Sequence, residues 1–191
     1  MDATQVIEET RQRAESFSPL PEQSRPVLIV IVGLPGSGKS FFCSKLTGRL
    51  PYIVLESDVL RKKLNPRPTY SARESAGLFR LIHYLIQELL SKGVSVILDA
   101  TNLRESERRP LYRLAEAANA RLILVRTEAP EELIRKRLKA RAGNSVSDAD
   151  WAVYQRMKAA DEKIARPHYT VDTAGDMGAV IEKIAREARG E

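Results

Sequence analysis

The sequence predicts an α/β domain, a parallel sheet covered by helices on both faces. Three observations carry the prediction. Short β-branched runs alternate with amphipathic helical stretches along the chain. The connections between the runs are long enough for crossovers. One of the runs, Val27 to Val32, leads straight into the glycine-rich stretch GLPGSGKS, Gly33 to Ser40.

Element by element, residues 1 to 18 carry a helical pattern, with Val6, Ile7, Ala14 and Phe17 among acids and bases. Ser18-Pro19-Leu20-Pro21 stops it, so residues 1–25 are expected to form an N-terminal helical arm and 26–191 the main domain. Val27 to Val32 is a buried strand bounded by Pro26 and Gly33. A helix is expected from Gly38 or Lys39 to about Leu50, then a second strand, Tyr52 to Glu56, ending in Ser57-Asp58. Two prolines make NPRPTY, residues 65 to 70, a loop. Ser71 or Ala72 to about Ser91 forms a strong helix, with Leu78, Leu81, Ile82, Leu85, Ile86 and Leu89 in one stripe. Val94 to Leu98 is the third strand, ending at Asp99, and a helix follows from Glu105 to about Asn119. The fourth strand is Arg121 to Val125, followed by a basic helix from Glu131 to about Ala142. A helix over 148 to about 165, a short fifth strand at Tyr169 to Asp172 and a helix from about Met177 to Arg189 close the chain.

Bulk composition narrows the partners. The chain has 191 residues, enough for one sizeable domain. Its one cysteine, Cys43, excludes a disulfide framework or a multi-cysteine metal site. No apolar run approaches the roughly 20 residues of a membrane helix, and residues 1 to 13 are polar and mixed in charge, so a cytoplasmic location without membrane contact is the default. The formal charge of +6 admits a polyanion partner. It does not favour nucleic acid, because phosphate chemistry needs arginines anyway and no aromatic-rich basic stretch is visible.

GLPGSGKS fits G-x-x-x-x-G-K-[ST]. Gly33, Gly36 and Gly38 let backbone N–H groups converge on phosphate oxygens, with Pro35, Ser37 and Phe41 completing the contact stretch. Lys39 supplies a point charge, Ser40 a hydroxyl for Mg²⁺, and the following helix aims its positive end at the anion. Two acids close strands: Asp58 in LESDVLRKKL and Asp99 in VILDATN. Such an acid can hold Mg²⁺ or accept the proton of an attacking hydroxyl, and the alternative is that each caps the next helix. Arg137 and Arg141 in LIRKRLKAR share a helix face. Arginine forks suit a transferring phosphoryl group; the alternative is a solvated basic face.

GLPGSGKS, ESDVLR, ILDATNLRESERR and LIRKRLKAR in this order resemble the P-loop kinases related to polynucleotide 5′-kinase, zeta toxins and gluconate kinase, over about residues 26 to 190. The resemblance implies a P-loop NTPase fold with sheet order 2-3-1-4-5, a lid at about 131–147, and transfer from ATP, with Mg²⁺, to a hydroxyl. It implies that Asp58 meets the acceptor as candidate base and that Arg61 binds a polar or anionic group of it. Asp99 would organise the metal with Ser40, and Thr101, Asn102 and Arg104 would line the acceptor side. The loop holding Thr173 and Ala174 would border the adenine. The acceptor stays open between a small molecule and a nucleic-acid 5′ end. The rival reading is an ATP-binding regulatory module that works with a protein partner.

Overall fold

The computed structural model describes residues 2–16, 25–141 and 148–191. Its five strands are β1 (Val27–Val32), β2 (Ile53–Glu56), β3 (Val96–Asp99), β4 (Arg121–Glu128) and β5 (Tyr169–Asp172), in the order β2-β3-β1-β4-β5. This is the expected sheet. β2 runs parallel to β3 with Glu56 opposite Asp99, and β4 parallel to β5 with Glu128 opposite Asp172. The helices are α1 (Ala3–Glu15), α2 (Lys39–Thr47), α3 (Ser57–Leu64), α4 (Ala72–Ser91), α5 (Glu105–Ala117), α6 (Glu131–Arg141), α7 (Asp148–Ala159) and α8 (Gly178–Arg189). Among the described residues no helix is long and apolar enough to cross a membrane.

The chain divides into two compact units. The first is Met1–Val30, Pro51–Ala100 and Pro110–Ile123. Its largest helix, α4, starts at Ser71, whose hydroxyl accepts from the Glu74 N–H, and buries Leu78, Leu81, Ile82, Leu85, Ile86, Leu89 and Leu90. A fully buried Leu or Ile contributes about 1.5–3 kcal/mol, so this stripe fixes α4. α1 opens with a capping box between Asp2 and Gln5 and packs on α3 and α4 through Val6, Thr10 and Ala14. Arg11 adds a two-pronged pair with Glu88, Nε to Oε1 at 2.7 Å and Nη2 to Oε2 at 3.2 Å. Lys63 of α3 pairs with Glu9 of α1.

The second unit is Ile31–Leu50, Thr101–Arg109 and Leu124–Glu191. α8 buries Ile181, Ile184, Ala185 and Ala188 and packs along α2. Arg126 of β4 forks onto Asp161, Nη1 to Oδ1 at 3.1 Å, and these bonds to a carboxylate raise its pKa further.

Several boundaries depart from the sequence expectation, among them the start of β3, at Val96 rather than Val94. α2 ends at Thr47 because Gly48 lies at its C-terminus, well short of Leu50. Ser57 and Asp58 do not extend β2 but open α3, an eight-residue helix that periodicity could not resolve at this length. β4 continues past Val125 to Glu128, since its backbone still pairs with β5 there. α7 stops at Ala159: the Asp161 N–H closes a tighter turn onto the Lys158 carbonyl, and the Glu162 N–H leaves the helix to donate to the Leu103 carbonyl at 3.1 Å. Of the expected lid, α6 is described, and residues 142–147 lie outside the described residues.

Candidate functional site

The glycine loop in the second unit is built so that side chains are excluded from it. A Cβ on Gly33 would lie 2.5 Å from Thr127 Oγ1 and 2.8 Å from the Thr127 carbonyl oxygen. Gly36 and Gly38 adopt φ of +79° and +89°, a region that L side chains avoid. A Cβ on Gly38 would also meet Thr173 Oγ1 at 2.6 Å. The loop closes with the Ser37 N–H donating to the Leu34 carbonyl at 3.1 Å, and α2 starts immediately after Gly38. Its first-turn N–H groups have no helical acceptor and face outward with the positive end of the helix dipole. The Lys39 ammonium donates to the Leu34 carbonyl at 3.1 Å, and the Ser40 side chain is exposed. Phe41 is exposed, with Lys45 5.5 Å from its ring centroid. Pro35 is half-buried. The arrangement fits a nucleotide's phosphates.

Two threonines and an arginine brace this loop from behind. The Ser37 and Thr127 hydroxyls are 2.8 Å apart. The Thr173 hydroxyl lies 2.8 Å from the Ser37 carbonyl, and Arg137 Nη1 donates to that hydroxyl at 2.8 Å and to the Gly36 carbonyl at 3.2 Å. Nη2 of Arg137 donates to the Thr173 carbonyl at 2.9 Å. The Ala174 N–H donates to the Asp172 carboxylate, so in the loop expected to border the adenine the Thr173 carbonyl and the Ala174 N–H both have partners. Arg141 closes α6, and its side chain is outside the described residues.

Residues 101–104 form the third component of this unit. The Thr101 carbonyl accepts from the Gly33 N–H at 3.1 Å. Asn102 is 1% exposed at φ +47°, and its Nδ2 donates to the Ile31 carbonyl at 2.9 Å. That amide therefore ties the segment to the end of β1, whereas a contact with the acceptor was expected. Arg104 is exposed. Behind the segment sits Arg108, fully buried, donating to the carbonyls of Asn102, Leu103, Glu162 and Lys163. Sequence reading passed over Arg108 because RESERR looks like a solvated face.

The first unit carries the acids. Glu56 and Asp99 end adjacent parallel strands directly opposite each other, and Asp58 stands exposed in the first turn of α3. Burial, then repulsion from Asp99 and Asp58, raises the Glu56 pKa, while Arg13 of α1 opposes the rise. Glu56 was missed in the sequence; its signal was the carboxylate two positions before Asp58. Arg61 is 7% exposed and ion-paired to Glu74, Nη1 to Oε1 at 2.6 Å. That bond, aided by the Thr69 N–H, holds the Glu74 carboxyl down to about 2. Among the described residues no group of three or more His, Cys, Asp or Glu could hold a metal. The residues present suit a cation such as Mg²⁺ that takes one or two protein oxygens and completes its shell from phosphates and water.

A loop that offers an anion only backbone donors and one ammonium, on a sheet ordered β2-β3-β1-β4-β5, is that of a P-loop NTPase domain. Residues 28–164 match the model of the AAA-domain family, and the chain belongs to that family. It is 29% identical over 154 residues to the L-seryl-tRNA(Sec) kinase of Methanococcus maripaludis, covering 77% of this chain and 59% of that protein. The fold is similar to the APS kinase CysC of Mycobacterium tuberculosis, with TM-score 0.64, 20% identity, and 87% and 99% of the two chains covered. It is likewise similar to a gluconokinase of Sinorhizobium meliloti, with TM-score 0.58, 22% identity, and 87% and 91% covered.

Proposed function

We propose that the chain is an ATP-dependent phosphotransferase that moves the γ-phosphoryl group to a hydroxyl. The observation that carries this reading is the carboxylate set Glu56, Asp58 and Asp99 at the start of α3 and the ends of β2 and β3, in a chain that also has a phosphate cradle. An exposed acid such as Asp58 in the first turn of α3 suits an acceptor hydroxyl, whereas in a protein that only held or hydrolysed a nucleotide it would serve the helix dipole alone. The kinase names of the relatives and fold neighbours support transfer, and they differ in acceptor.

In this mechanism the loop N–H groups and Lys39 hold the β- and γ-phosphates. Ser40 would hold Mg²⁺, with Asp99 as a candidate further oxygen ligand, and the ion would supply charge neutralisation at the phosphate oxygens. Asp58 accepts the acceptor's hydroxyl proton as that oxygen bonds to the γ-phosphorus. The bond from phosphorus to the β–γ bridging oxygen breaks, its electron pair leaves with ADP, and the acceptor becomes a phosphomonoester. Arg137 and Arg141 stabilise charge on the transferring group, and Thr101 and Arg104 line the acceptor side. Arg61 and Asn102 position these segments rather than touching the acceptor. The work is positioning and charge neutralisation, with no covalent enzyme intermediate.

The test is ADP release by the isolated protein with and without pools of hydroxyl compounds. Acceptor-stimulated release with a phosphorylated product supports the reading. Stimulation by a protein partner alone overturns it in favour of a regulatory ATPase.

A further inference from the structure

Most of the chain's formal charge of +6 sits in one stretch of the first unit. Residues 61–80 hold Arg61, Lys62, Lys63, Arg67, Arg73 and Arg80 against the one acid Glu74. Arg61 is buried on Glu74, and Lys63 is paired with Glu9. The other four are exposed and make no ion pair among the described residues. On α4, Arg73, Gly77, Arg80 and Tyr84 recur at i, i+4, i+7 and i+11, on the side away from the buried stripe. A Cβ on Gly77 would meet nothing within 4 Å, so no internal packing calls for glycine there. A glycine that weakens a helix without an internal reason suits close approach from outside.

The linear sequence shows no aromatic-rich basic run, but the fold supplies an aromatic. Tyr70, 61% exposed, ends the loop between α3 and α4 at φ +53°. That is an uncommon conformation for a large side chain, and the surroundings hold it. Arg61 Cζ lies 4.8 Å from the ring centroid, with Arg61 fixed in turn by Glu74 and Ser75. The ring is thus propped on a buried guanidinium with most of its surface in solvent, between Arg67 and Arg73.

We propose that the loop 65–70 and the exposed face of α4 form a binding surface for nucleic acid with at least one unpaired base, Tyr70 stacking on the base and Lys62, Arg67, Arg73 and Arg80 meeting backbone phosphates. Its use as the acceptor of phosphoryl transfer rests on the function proposed above; the binding does not. Charge complementarity selects a polyanion, and the propped aromatic selects one that carries flat rings over an acidic peptide.

The test measures binding of a fluorescein-labelled single-stranded RNA of about 16 nucleotides by anisotropy across a salt series. The variants are Tyr70→Ala, Tyr70→Phe and the triple change Arg67→Ala, Arg73→Ala, Arg80→Ala. Removing three phosphate contacts should lower the slope of log affinity against log salt by roughly 2. Tyr70→Ala should weaken binding about 5- to 100-fold at an unchanged slope, with Tyr70→Phe restoring it. A thermal melt and binding of a fluorescent ATP analogue, both unchanged, establish that the variants fold. The proposal is overturned by absent RNA binding at low salt, by an unchanged slope in the triple variant, or by polyglutamate competing as well as RNA. RNA binding without ADP release for any acceptor overturns the kinase reading and leaves this surface standing; acceptor-stimulated release without RNA binding does the reverse.

Discussion

Replacing Arg108 by Met keeps an unbranched side chain of shorter reach and removes its donors. In the native chain Nη1 donates to the Asn102 and Leu103 carbonyls, and Nη2 to Glu162 and Lys163 at 3.2 and 3.1 Å. Nε also reaches Glu105 Oε2 at 3.3 Å. The side chain is completely buried, so Met leaves four carbonyls facing an apolar group. Each orphaned acceptor costs about 1–3 kcal/mol, and partial relaxation keeps the sum below simple addition. The expected loss is about 3–5 kcal/mol, similar to breaking a buried charged pair. At about 2–4 °C per kcal/mol for a chain of this size, that lowers Tm by roughly 6–20 °C in scanning calorimetry. Arg108→Lys should recover less than half, because one ammonium cannot span two pairs of carbonyls. Hydrogen exchange should rise at residues 101–104 and 162–163 together. A Tm within about 2 °C of the native protein would refute the reasoning, since relaxation or water would then satisfy those carbonyls.

The phosphate loop gives a steric prediction. Gly33→Ala places a methyl 2.8 Å from the Thr127 backbone oxygen, which cannot rotate away, so affinity for a fluorescent ATP analogue should fall at least tenfold, about 1.4 kcal/mol. Arg137→Met removes three hydrogen bonds between α6, the phosphate loop and the Thr173 loop, so it should weaken nucleotide binding as well as lower kcat. Unchanged ATP affinity with lower kcat would leave Arg137 a transition-state contact without a bracing role. Stability toward acid follows from Glu74 and Glu88, both held down to about 2 from an ordinary 4.5, by Arg61 and Arg11 respectively. Their contribution is full above pH about 4.5 and is lost as pH falls toward 2, because the unfolded chain takes up protons that the folded one refuses. Glu88→Gln should therefore flatten the stability profile between about pH 5 and pH 2, read by urea unfolding, and an unchanged slope would contradict the pairing.

What the sequence disclosed follows from how local each signal is. The phosphate loop was legible because its glycines, lysine and flanking strand and helix lie in one contiguous stretch. The sheet was legible because each buried strand is a short apolar run between breakers. Asp58 was found but placed at the end of a strand, since SDVLRKKL is too short for helical periodicity to declare itself. Thr127 was invisible: Arg126-Thr127-Glu128 reads as a polar exit from β4, yet the threonine is buried against Ser37. Asn102 was expected on the acceptor side; what the sequence could not show is its left-handed turn and its bond to Ile31. Tyr70 and Arg61 lie nine residues apart, and their stacking depends on the loop between α3 and α4. No linear pattern encodes that contact.

In the proposed mechanism the acid of α3 acts on an acceptor while the glycine loop holds the nucleotide. Transfer of label from γ-³²P-ATP, measured beside binding of an ATP analogue for Asp58→Asn, tests it most directly. Analogue affinity should stay within about twofold of the native protein while transfer falls at least about 100-fold, as expected when a general base is lost. Native transfer rates in Asp58→Asn, or lost nucleotide affinity, would contradict it.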